Sequence, residues 1–169
     1  MSMIGEYVRL GPDDFERALR EPEWAQEFVD ALADAEFDAP PESSRARCHS
    51  TDKAWHALSF LLDRIGFPVD VVHGDAGIPG AEDWGYAPPR HLAPERVAAA
   101  AQAVAATPHT ALVDGVTPQD LAAAEIYPVA VWERGEPLEL EWVTVCYRDL
   151  AGFFRAAARD GDGMLMWIS

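Results

Sequence analysis

Asp52, His56, Ser59 and Asp63 are the residues whose types and spacing could do chemistry together. At intervals of three and four they fall on one face of a helix. A carboxylate and an imidazole one turn apart can form a solvated ion pair, or they can contribute to a ligand-binding or catalytic cleft. Ser59, His56 and Asp52 do not make a nucleophilic triad. A triad places the base between nucleophile and orienting group beside an oxyanion hole, and three neighbours along one regular helix face do not converge that way. No G-x-S-x-G elbow is present either.

The element that must carry these side chains is a helix predicted over residues 51–65. Ser50 and Thr51 can accept the free N–H groups of its first turn, and Asp52 suits the positive end of its dipole. Trp55, Leu58, Leu62 and Ile65 recur at helical spacing with Ala54, Ala57 and Leu61 beside them, and Gly66-Phe67-Pro68 closes the run. Across from it lies a long Gly/Pro segment, residues 73–91, with four glycines and three prolines in 19 residues. That composition precludes a long regular element, and long loops in compact domains are often functional. The segment carries Trp84, Tyr86 and Arg90. The aromatics suit a lid over the core or a stacking platform, and Arg90 an anion anchor or an ion-pair partner. Its glycines match neither G-x-G-x-x-G nor a Walker pattern.

The remaining chain reads as short strands and amphipathic helices. Residues 3–10 alternate as a strand. A helix opens at Asp13 or Asp14 and is broken at Glu21-Pro22, and a second follows with Trp24, Phe28, Ala31 and Leu32 on one face. Residues 68–72 are predicted to be extended. Pro94 starts a helix that runs to Thr107-Pro108, and Thr117 caps another. Residues 129–132 suit a strand or an ordered loop, and residues 138–147 suit either a strand or a helix. A helix follows to about Ala158, and Met164–Ile168 is an apolar strand, interior in a sheet.

One domain, residues 1–169, is expected from the length, which suffices to bury about two-thirds of the unfolded surface. The formal net charge of −16 argues against binding nucleic acid, which needs a basic footprint. Residues 1–42 hold 12 acids against three arginines, which leaves −9 in this quarter of the chain. That density suits a solvated helical face or a docking surface for something basic. Cys48 and Cys146 form no C-x-x-C pair, and no histidine spacing marks a metal centre; no metal and no cofactor are expected. The N-terminus lacks the pattern of a signal peptide, and Val97–Ala106 is too short to span a bilayer, so a cytoplasmic protein without membrane contact is expected.

A likeness runs through the whole chain. Met3-Ile4-Gly5, then Asp52-Lys53-Ala54-Trp55-His56-Ala57-Leu58, then Gly85-Tyr86, Pro88 and Arg90 before Pro94-Glu95, then Ile126-Tyr127-Pro128 and Trp132, occur in that order. In these motifs the chain resembles the YfbM-like bacterial family, domain of unknown function 1877. Ala87 and Pro89 depart from that pattern, where a glycine and a small residue are common, and both would stiffen the loop. The resemblance implies a small cytoplasmic single-domain α+β fold, with a short mixed sheet packed against several amphipathic helices. It implies no established activity, and so no catalytic residues.

The function expected is therefore a non-catalytic small-ligand-binding module, its cleft lying between the 51–65 helix and the 73–91 loop. Asp52, His56, Trp84, Tyr86, Arg90, Tyr127 and Trp132 are its candidate ligand-binding residues. The alternatives are an acidic interaction factor, immunity- or inhibitor-like, that covers a basic protein partner, and an unrecognised hydrolase using Asp52 and His56.

Overall fold

Met164–Ile168 is apolar at every position, as a strand covered on both faces should be, and it lies at the centre of the sheet. The computed structural model describes residues 2–169. This central strand, β5 (Gly163–Ile168), is flanked by β1 (Gly5–Leu10) and β4 (Arg90–Leu92). The edges are β2 (Cys48–Asp52) and β3 (Ala76–Gly77), giving the order β2-β1-β5-β4-β3. Every pairing is antiparallel, with Tyr7 opposite Met166 and Val8 opposite Leu165. The α+β class holds, with an antiparallel sheet in place of the mixed one expected.

Strand side chains alternate between the two faces of a sheet, and the core divides accordingly. Val8, Leu10 and Leu165 meet α1 (Pro12–Arg20) and α2 (Pro22–Asp38) through Phe15, Ala18, Ala25 and Val29. Tyr7, Met164 and Met166 face the larger core on the other side. Each helix of the pair has proline in its first turn, where the missing N–H costs nothing. Glu23, Glu27, Asp30, Asp34 and Asp38 of α2 are exposed, so much of the acid-rich first quarter faces solvent.

The larger core is built by α3 (Trp55–Arg64), α4 (Pro94–Ala106), α5 (His109–Val113), α6 (Pro118–Ala123), α7 (Val129–Glu133) and α8 (Pro137–Asp160). Ala57, Leu58, Leu61 and Leu62 of α3 are buried at the predicted spacing, each leucine contributing about 1.5–3 kcal/mol by leaving water. Thr117 caps α6 in a reciprocal pair with Asp120. No helix among the described residues is long and apolar enough to cross a membrane.

Three local expectations are corrected and one open alternative is settled. The helix predicted from residue 51 starts at Trp55. The Ser50 and Thr51 hydroxyls donate to the Gly5 carbonyl across the β1–β2 pair, both at 3.3 Å, and do not cap a helix. Asp52 ends β2 in the left-handed region, φ 50°. Residues 68–72 are a turn, because Asp70 Oδ1 accepts from the Val72 and His73 N–H groups and so competes with strand pairing. Residues 129–132 are helical, since burial of Trp132 overrides their β propensity. Residues 138–147 belong to α8, opened by Pro137 and packed through Val143, Tyr147, Leu150 and Phe154 at three- and four-residue steps.

Candidate functional site: an arginine-lined cleft

Of the seven residues singled out above, one pair is joined by a hydrogen bond. His56 and Tyr127 do meet: the Tyr127 N–H donates to His56 Nδ1 at 2.9 Å. Trp55 stacks between them, its ring centroid 5.0 Å from His56 and 6.2 Å from Tyr127. Its indole N–H donates to the Met3 carbonyl, and the Met3 N–H donates to the Tyr127 hydroxyl. This is a clasp that ties the N-terminal strand to the start of α3 and to residue 127. Asp52 is exposed at the end of β2. Arg90 donates to the His73 and Gly74 carbonyls, so its guanidinium braces the loop. Trp84 packs edge-on against Trp167, Tyr86 is 49% exposed with its N–H donating to the Ile168 carbonyl, and Trp132 is fully buried against Trp142.

The clasp needs neutral His56, because a backbone N–H can only donate and Nδ1 must therefore be the acceptor. Burial lowers the His56 pKa, and the nearby His73 lowers it further. A histidine whose folded pKa lies below its unfolded value stabilises fully above about pH 6.5, and that contribution is lost as pH falls through the folded value. His56→Ala is expected to cost about 1–2 kcal/mol at pH 8, by stranding the Tyr127 N–H. It should also flatten the stability profile between pH 7 and 5, as read by urea denaturation.

A cavity of about 690 Å³ opens elsewhere, between the 3₁₀ turn Ser43–Arg45, His49 of β2 and one face of α8. None of the seven residues lines it. That face presents Arg148, Gly152, Arg155 and Arg159, at steps of four, three and four residues, with Asp149, Phe153 and Ala156 beside them. Arg159 is occupied: it pairs with Asp160 at 2.9 Å and donates to the Ser44 carbonyl. Arg148 and Arg155 form no ion pair or hydrogen bond with the described residues. Arg20 and Arg45 are equally unengaged but do not line the cavity. With Arg159 paired to Asp160, Arg148 and Arg155 against Asp149 leave the cleft formally +1, in a chain of −16.

The wall opposite α8 is held by Arg9. Arg9 is 2% exposed, and its Nη1 reaches Asp160 at 2.8 Å and Asp162 at 2.7 Å. The same guanidinium donates to the carbonyls of Ala46 and Ser44. One buried cation thus fixes the 44–46 turn to the end of α8. His49 stacks on Phe153, with centroids 5.2 Å apart, and its buried Nε2 has no hydrogen-bond partner among the described residues. Burial lowers the His49 pKa, against an opposing pull from Asp149. The imidazole is thus biased to its neutral form, with an Nε2 closed off from solvent.

Other chemistry has less support. A second cavity, of about 100 Å³ near Ser59, Asp63 and Asp70, has room for only a few waters. Burial raises the Cys48 thiol to about 12 and the Cys146 thiol to about 11, so both stay protonated and unreactive at neutral pH. Among the described residues no three His, Cys, Asp or Glu side chains are placed to share a metal ion. The Arg148–Arg159 spacing was a readable signal of the cleft, since i, i+4, i+7 and i+11 share a helix face. Its significance depended on the missing ion-pair partners, which spacing does not reveal.

The family described as "Domain of unknown function (DUF1877)" matches residues 1–167. The chain belongs to the DUF1877 family. Among solved structures, this DUF1877 chain is similar to the protein of unknown function YfbM from Escherichia coli, with a TM-score of 0.63. The two share 17% sequence identity over 98% of this chain and 99% of that one, a likeness that shows the shared fold. No protein with a curated description matches this DUF1877 chain.

Proposed function

We propose that this protein is a non-catalytic binding module for a small anionic ligand, held in the cleft between α8 and the 43–49 segment. The observation that carries this reading is the pair Arg148 and Arg155. They are unengaged cations lining a cavity of about 690 Å³, within the range of about 300–1,000 Å³ usual for small-ligand sites. Guanidinium groups match carboxylate and phosphate geometry and are always charged. The unpaired Cys48 and Cys146 support a reducing compartment, the cytoplasm.

The test is calorimetric titration with AMP, a phosphomonoester, into wild type, Arg148→Gln and Arg155→Gln. A hydrogen bond to a charged group contributes about 1.5–3 kcal/mol, so each substitution should weaken binding by about 10- to 100-fold. Melting temperatures should stay close to wild type, since neither side chain supports the fold. Binding that survives the double substitution would show that the arginines do not hold the ligand.

A further inference from the structure

The cleft has a feature that charge alone does not explain. Gly152 sits in the middle of α8, a 24-residue helix, where glycine is destabilising by about 1 kcal/mol relative to alanine. Some other glycines of the chain have a packing reason. At Gly163 a Cβ would run into the Phe15 ring, and at Gly5 into Thr51 and Trp55. At Gly152 a Cβ would meet nothing within 4 Å, and the space it would enter is the cleft. The protein itself gives no reason for the missing side chain.

Gly152 and Ala156 are one turn apart, so their small side chains make a shallow apolar floor, with the Phe153 ring beside it. Arg148 and Arg155 stand along one edge of that floor, seven residues and about 10.5 Å of helix axis apart. A bare phosphate or carboxylate would leave most of 690 Å³ empty and the floor uncovered. The opposite wall carries His49, stacked on Phe153.

We propose that the cleft takes an organic oxyanion with a flat apolar body. The phosphate or carboxylate is held by Arg148 and Arg155, and the body lies across Gly152 and Ala156, facing the His49 wall. The proposal rests on the anion-binding reading above and narrows its ligand class. It also accounts for Gly152, where any side chain would stand in the path of the ligand.

The experiment is calorimetric titration of wild type, Gly152→Ala and Gly152→Leu with four probes: AMP, adenosine, 2-naphthoate and inorganic phosphate. Both variants should fold with unchanged or higher melting temperatures, because the site is open and both residues favour helix. Wild type should bind AMP or 2-naphthoate at least tenfold more tightly than inorganic phosphate, and which of the two binds identifies the oxyanion. Gly152→Leu should weaken that binding at least tenfold and leave inorganic phosphate within twofold. Equal affinity for inorganic phosphate and the organic anions, unaltered in Gly152→Leu, would overturn the organic body and leave the anion site standing. Adenosine binding as tightly as AMP, or no binding by any probe, would overturn the anion reading itself.

Discussion

Arg9→Met is expected to destabilise the protein by about 3–5 kcal/mol, because it strands a buried carboxylate without its cation. Arg9 is 2% exposed and the side chain of Asp162 is 6% exposed, so solvent cannot replace the lost partner. The substitution also leaves the Ser44 and Ala46 carbonyls without the donor that pins them. Urea denaturation at pH 7 reads the loss. Adding Asp162→Asn to Arg9→Met removes the stranded charge and should recover about 1 kcal/mol or more. Asp160, the exposed member of the cluster, is held well below the ordinary carboxylate range, first by Arg159 and then by Arg9. Its contribution is therefore present above about pH 4 and is lost as pH falls through the folded value. If Arg9→Met were as stable as wild type, Arg9 would not be holding the cleft wall.

Trp132→Ala should cost a comparable amount, about 3–5 kcal/mol, through lost burial and the cavity left behind. Trp132 is 0% exposed and stacks on Trp142, at 6.2 Å between ring centroids, where α7 meets α8. Its indole N–H has no partner among the described residues. Trp132→Phe keeps most of the apolar area and deletes that unpaired donor, so it should cost about 1 kcal/mol. A small loss for Ala, or a larger loss for Phe than for Ala, would contradict the packing described.

How much of this was legible in the chain differs from element to element. The sheet strands 5–10 and 163–168 and the break at Glu21-Pro22 follow from apolar patterning and proline alone. The start of α3 did not, because the Ser50 and Thr51 hydroxyls that could cap a helix instead bond across a strand pair. The ambiguity of residues 138–147 was real, and a 24-residue helix resolves it through contacts distant in sequence. His56 and Tyr127 were found together, as a clasp on Trp55. Arg148, Arg155 and His49 were missed, since a helical row of arginines reads as a solvated face until its neighbours are known. The 73–91 segment is ordered by backbone bonds that its composition does not announce, among them Asp75 N–H to the His91 carbonyl and Ile78 N–H to the Pro89 carbonyl.

The central claim is that the cleft at α8 is the ligand site, and amide chemical-shift mapping tests it most directly. ¹⁵N-labelled protein is titrated with AMP and 2-naphthoate at constant ionic strength. The account predicts saturable shifts confined to residues 43–49 and 148–159, absent in the Arg148→Gln, Arg155→Gln double variant. Saturable shifts centred on His56, Tyr86, Arg90 and Tyr127, with the α8 amides still, would contradict it and return the site to the clasp and its neighbouring loop.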